Sequence, residues 1–177
     1  LLQFLFSGLT LGAAYTLAAL GFSMIYKATG IVNFAQGEFI MVGGMAAAAL
    51  AVHGVSLPIA CVAGVAIAAA IGVAVERLAI ATTRKAETSS IIIVTIAVSM
   101  VLRGMTEILL GKSNLALASF SGDTPLELGG ASILPQSLWV LAVSAVIVVA
   151  LALFFGGTRF GKAMLATAYN RLAAQLC

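Results

Sequence analysis

The chain has 177 residues, of which 62% are hydrophobic and only 8% charged. A soluble domain carries about 25% charged residues, so this composition excludes a soluble globular fold and points to an all-α integral membrane protein. The formal net charge of +3 is concentrated in two short stretches, as membrane topology requires, and is no signature of nucleic-acid binding; period-two alternation is absent, which argues against a transmembrane barrel.

Residues 4–26 carry no charge and are long enough, at about 1.5 Å per residue, to cross a hydrocarbon core of about 30 Å. That run is also too long for the apolar core of a cleavable signal, which is about 7–15 residues. Residues 57–75 and 138–155 are two further charge-free runs. Residues 91–110 read as another span that carries Arg103 and Glu107. The stretch 39–52, FIMVGGMAAAALAV, would make a helix of only about 21 Å and cannot cross unaided. Extended back to Phe34 it is long enough, but Gln36 and Glu38 then enter the bilayer. The count is about five spans in one membrane domain, and the chain, which starts at Leu1 and stops at Cys177 in a helical pattern, reads as the N-terminal portion of a larger protein.

Charge placement orients these spans. Arg77, Arg84 and Lys85 lie between the third and fourth, and Arg159, Lys162 and Arg171 follow the last; together they are six of the nine basic residues. The positive-inside rule makes both stretches cytoplasmic, the connection 111–136 external, the N-terminus external and the C-terminus cytoplasmic. Trp139 then falls at the outer end of the last span, as an interfacial aromatic should. Pro125, Pro135, Gly129 and Gly130 mark turns in the external connection, and residues 82–90 read as a short polar loop.

Several residues stand out against the apolar background. Gly8 and Gly12, and Gly64, Ala68 and Gly72, recur every four residues, which puts small side chains on one helix face and lets backbones approach. That pattern fits packing within the bundle and, less directly, a dimer interface. Arg103 and Glu107 share a helix face and can neutralise each other as a structural pair; a role in a transport pathway is the alternative. His53 reads as a loop residue and Cys61 as a small core residue, and neither cysteine has metal or redox spacing.

Residues 30–39, GIVNFAQGEF, admit two readings. Asn33, Gln36, Gly37 and Glu38 form an irregular break at membrane depth, of the kind that lines transporter cavities. Otherwise they form a cytoplasmic turn in which Asn33 caps the next helix and Glu38 complements its dipole. The sequence has no phosphate-binding loop, H-E-x-x-H or G-x-S-x-G motif. It is read as a transport component and not an enzyme, with neither cofactor nor metal, drawing energy from a gradient or a partner.

Residues 8–44, GLTLGAAYTLAALGFSMIYKATGIVNFAQGEFIMVGG, resemble the opening of the permease subunits of branched-chain amino acid ABC importers, with the Asn-Phe-Ala-Gln-Gly-Glu signature at residues 33–38. Residues 76–100 are similar to that family's first large cytoplasmic loop and following span. Residues 158–176 resemble its ATPase-docking segment, although Leu165 stands where the family commonly has Arg, and the chain stops short of the family's closing Gly-Ile. The resemblance implies a multi-pass permease of the bacterial inner membrane that forms the path for branched-chain amino acids. Its implied partners are cytoplasmic ABC ATPases, a second permease as homo- or heterodimer, an extracytoplasmic solute-binding protein and membrane lipid. It further implies gating roles for Asn33, Gln36, Gly37 and Glu38, and a docking helix with Gly161, Lys162, Ala163, Ala166, Asn170, Ala173 and Ala174. An ordinary inner loop fits that last segment's composition equally. Rival functions are a permease for urea or short amides, a proton-coupled secondary transporter using Glu38 or the Arg103–Glu107 pair, and a purely structural membrane subunit.

Overall fold

A computed structural model describes residues 2–83, 88–111, 115, 117, 119–122, 124–128 and 131–169. In chain order the elements are α1 (Leu2–Thr29), α2 (Gln36–Val52) and α3 (Leu57–Val75), which runs through a π-helical turn (Glu76–Ile80) into α4 (Ala81–Thr83). Then follow α5 (Thr88–Leu110), a hairpin of β1 (Leu126–Leu128) and β2 (Ala131–Ile133), α6 (Pro135–Gly157) and α7 (Arg159–Tyr169). The fold is the all-α, polytopic membrane arrangement that the composition implies. Among the described residues four helices are long and apolar enough to cross a membrane: Leu2–Lys27, Leu57–Thr83, Ser89–Leu110 and Pro135–Gly157. With 17 residues, α2 lies at the lower limit for a span, about 17–25 residues.

The chain forms two compact units, Ile31–Ala118 and Leu1–Gly30 with Ser119–Cys177. In the first, α2 and α3 form a helical hairpin. The His53 and Gly54 N–H groups donate to Ala49 and Ala51, and the Val55 N–H reaches back to Leu50. Such a termination needs a left-handed residue, supplied by Gly54 at φ +85°. Ser56 and Pro58 then open α3, proline standing where its missing N–H costs nothing. His53 is exposed at this corner, its Nδ1 2.8 Å from the Ala49 carbonyl.

The hairpin closes on small residues. A Cβ added at Gly64 would lie 2.5 Å from the Gly43 carbonyl oxygen and 2.9 Å from the Ala47 Cβ, and one at Gly43 would lie 3.2 Å from the Ala68 Cβ. Gly43 and Ala47 therefore face Gly64 and Ala68, two four-residue stripes in contact. Of the expected packing glycines only Gly64 occupies such a site; a Cβ at Gly8, Gly12 or Gly72 would meet nothing within 4 Å. Four-residue spacing creates a thin stripe, but only a facing helix turns it into a contact.

The third helix does not stop at Glu76. The Ala81 N–H donates to the Glu76 carbonyl, a five-residue span that widens the helix by one residue and carries it to Thr83. The expected loop over residues 82–90 is correspondingly shorter, since residues 81–83 and 88–90 are helical; Arg84 and Lys85 lie outside the described residues. The buried positions of α5 include Ile91, Thr95, Leu102 and Thr106, whose spacing places them on one helix face.

In the second unit α1 packs with α6 and α7. No residue in the span window of α1 is buried, and large apolar side chains such as Phe4 and Leu5 lie open, as suits surfaces that meet lipid or other membrane helices. The connection that leads into α6 holds an antiparallel pair that the turn residues alone did not predict, with Leu126 opposite Ile133 and Leu128 opposite Ala131. Ile133 is buried. Trp139, in the first turns of α6, donates its indole N–H to Ser121 Oγ at 2.7 Å, and its ring lies 6.1 Å from that of Phe120. These contacts tie the connection to the helix end where an interfacial tryptophan was expected.

Candidate functional site

Gly30, with φ +71°, ends α1 and donates its N–H to the Tyr26 carbonyl at 2.7 Å. The residues after it carry no regular structure up to a turn at Phe34 and Ala35. Asn33 holds that turn: its Oδ1 accepts the Ala35 N–H at 3.0 Å, the local bond that makes asparagine a turn former. Ala35 is the helix N-cap residue and offers no side-chain cap. Its carbonyl instead accepts from the N–H groups of Glu38 and Phe39. Asn33 thus organises the approach to α2 from two residues before the cap. Gln36 and Gly37 form the first turn, with Gly37 exposed and Gln36 partly buried.

Two contacts fix this turn against α5. The Phe34 N–H donates to Thr95 Oγ1 at 3.4 Å, and Thr95, which is fully buried, donates its own hydroxyl proton to the Ile92 carbonyl. Farther along, Arg103 Nη2 donates to Glu38 Oε1 at 2.7 Å. Glu38 is 8% exposed. The order of these contacts sets where the break lies along α5. Thr95 is seven residues into α5, so the backbone at Phe34 lies about 10 Å along a helix that itself qualifies as a span. Glu38 is paired farther along the same helix. The turn lies against α5, and Glu38 stands in the first turn of α2, where it also complements the helix dipole. The extension of the short apolar stretch back to include Gln36 and Glu38 is also what the helix shows, although it starts at Gln36 and not Phe34.

Arg103 has a different partner from the one its spacing suggests. The expected structural pair joined it to Glu107 on the same helix; the ion pair observed joins it to Glu38, 65 positions away on α2. A carboxylate placed in a buried turn of α2 needs a counter-charge, and a charge at the centre of a span costs about 2.5–3.5 kcal/mol. An exposed four-residue pair gains only about 0.3–0.5 kcal/mol, so the long-range partner wins. Sequence reasoning also missed Thr95. Its signal was present, a hydroxyl within the apolar run ILE-ILE-ILE-VAL-THR-ILE at 91–96, but nothing local says which way it faces.

The expected docking segment divides at the limit of the described residues. Gly161, Lys162, Ala163 and Ala166 belong to α7; Asn170, Ala173 and Ala174 lie outside. Thr158 caps α7, its Oγ1 accepting the Gly161 N–H at 2.9 Å while donating to the Phe154 carbonyl at 2.6 Å. Gly161 is buried, and a Cβ there would collide with the Phe154 carbonyl and the Phe155 backbone. Glycine is thus what permits the sharp α6–α7 corner. Met164, Leu165 and Ala168 turn toward α1, closing with Leu20, Ser23, Met24, Lys27 and Phe155 a cavity of about 240 Å³. Lys162, Ala163 and Ala166 lie exposed.

With this geometry in place, comparison with known proteins is informative. The family described as "Branched-chain amino acid transport system / permease component" matches residues 4–177. The chain belongs to this family. It is similar to the high-affinity branched-chain amino acid transport system permease protein LivH of Escherichia coli (strain K12), 33% identical over 188 residues that cover 99% of this chain and 61% of that protein. LivH of Salmonella typhimurium is 32% identical over the same shares. BraD of Pseudomonas aeruginosa, named likewise as a permease protein, is 29% identical over 94% of this chain and 59% of its own length. The chain spans about three-fifths of the length of these relatives. No solved structure matches it. The family is one of permease components and not of enzymes, and its membership agrees with a multi-pass membrane protein.

Proposed function

We propose that the chain is the N-terminal portion of the permease subunit of an ATP-binding-cassette importer, forming part of the path for branched-chain amino acids across the bacterial inner membrane. The observation that carries this reading is the polar break at Asn33–Glu38, packed against a membrane span in a chain whose family match runs over residues 4–177. Irregular backbone at such a depth persists only where protein buries it or a water-filled cavity meets it, which is how transporters build their paths. Asn33, Gln36, Gly37 and Glu38 act in this account by shaping and gating the path. Apolar surroundings with few polar anchors suit hydrophobic amino acids.

Energy then comes from separate cytoplasmic ATPases, and α7 is the element that receives them. A helix fixed at a glycine corner and capped by Thr158 transmits a push to α6, and its exposed Lys162, Ala163 and Ala166 offer a thin face with a basic flank. A second permease, identical or a sister chain, and an extracytoplasmic binding protein complete the assembly. The test is uptake by the full-length permease, reconstituted with its ATPase and binding protein in proteoliposomes. ATP-dependent leucine uptake supports the reading. Uptake of urea or a short amide instead would move the substrate, and uptake that survives without the ATPase but collapses with an uncoupler would replace the mechanism with a proton-coupled one.

A further inference from the structure

We propose that Arg103 contacts the carboxylate of the transported amino acid and that Glu38 is the residue that positions it. This rests on the reading of the chain as an amino acid permease and names the part of the substrate that the site takes. The two members of the ion pair are unequally placed. The Glu38 side chain is 10% exposed, whereas that of Arg103 is 64% exposed. The contact is a single hydrogen bond from Nη2 at 2.7 Å. A guanidinium has five N–H donors, so the pair engages one and leaves the others to further acceptors on a side chain that is mostly exposed.

Those donors need acceptors. Arg103 lies fifteen residues into the 23-residue α5, at a depth where a charge facing hydrocarbon costs about 2.5–3.5 kcal/mol. The open side of the guanidinium therefore faces water or protein and not lipid. Its geometry matches a second carboxylate, the planar acceptor that arginine binds best. Charge balance narrows the ligand further. The Glu38–Arg103 pair is neutral in sum, and so is a zwitterionic amino acid, so the substrate joins without adding net charge at depth. A simple carboxylate anion would leave a net negative charge there. Urea and neutral amides have no group that exploits the fork in this way. Glu38 holds the guanidinium on α5 at the start of α2, so that the contact forms beside the break.

The experiment separates this role from a merely structural one by exchanging the charges. In the full-length permease with its ATPase and binding protein, Glu38→Arg combined with Arg103→Glu rebuilds an ion pair but presents a carboxylate where the substrate carboxylate must bind. The expected result is near-normal membrane abundance, with leucine uptake reduced roughly tenfold or more, the size of one lost charge-assisted contact. Uptake restored to within about twofold of the unmodified protein would overturn the proposal, because pairing alone would then suffice. Arg103→Lys covers the case in which the exchanged protein does not assemble: it keeps a point charge for Glu38 but loses the planar fork. It is expected to raise the substrate concentration for half-maximal uptake about threefold or more, and an unchanged value overturns the proposal. Robust urea uptake with no leucine uptake by the unmodified protein would sink the functional reading and this inference together, whereas leucine uptake in every variant sinks the inference alone.

Discussion

At the scale of single residues, the glycines separate by what faces them. Gly64 is in backbone contact with Gly43 and Ala47, so Gly64→Ala must push α2 and α3 apart, at about 1–3 kcal/mol for an overpacked site. The expected outcome is a clearly lower Tm of the detergent-solubilised full-length protein. Gly8→Ala, where a Cβ meets nothing within 4 Å, is expected to leave Tm unchanged or slightly raised, since alanine is the better helix former. The ion pair gives a second residue-level test. Arg103→Gln strands Glu38 in its buried turn and is expected to destabilise by about 1–3 kcal/mol, the range for a polar group deprived of its partner. Adding Glu38→Gln removes the stranded charge and is expected to recover part of that loss in a double-mutant cycle of thermal stability. A double-variant effect equal to the sum of the two single effects would mean the two side chains are not coupled.

At the scale of elements, the spans were legible because length and apolarity are properties of a contiguous run. The helix that begins at Leu57 starts where its charge-free run does and continues past it to Thr83, while the other spans extend by only a few residues at their ends. What was not legible depended on distant partners. The start of α2 has no side-chain cap on Ala35, so the usual signal of a helix start sits two residues early, in Asn33. Arg103 and Glu107 looked like a local pair, yet arginine before glutamate is the weaker order for such a pair, and a buried acid 65 positions away made the stronger claim. The π-turn at Glu76–Ile80 carries the helix beyond the charge-free run 57–75, because charged residues can continue a helix once the apolar run has ended. For α7 the cap is the decisive local feature. Thr158→Ala is expected to cost about 1 kcal/mol and to speed amide exchange in its first turn about fivefold, while Thr158→Ser keeps the acceptor and stays near normal. Unchanged exchange in Thr158→Ala would show that packing of Leu165 and Ala168 holds the helix by itself.

At the scale of the whole molecule, the account joins a membrane-embedded break to an interfacial helix at the end of a span. By the positive-inside rule α7 is expected in the cytoplasm and the Ser121–Trp139 contact outside. In intact cells a membrane-impermeant thiol reagent is expected to label Ser121→Cys in the full-length protein and to reach Lys162→Cys only after permeabilisation; the reverse pattern would invert the topology and remove α7 from the reach of an ATPase. The central claim, however, is that residues 33–38 lie within the bilayer beside α5. It is tested most directly by spin-label depth in lipid, with a label at Gly37 compared with labels at Ile93 and Val101, exposed positions along α5. The account predicts that the label at 37 reports a depth close to that at 101 and deeper than that at 93. A label at 37 as shallow as one at Ser89, in the first turn of α5, would contradict it.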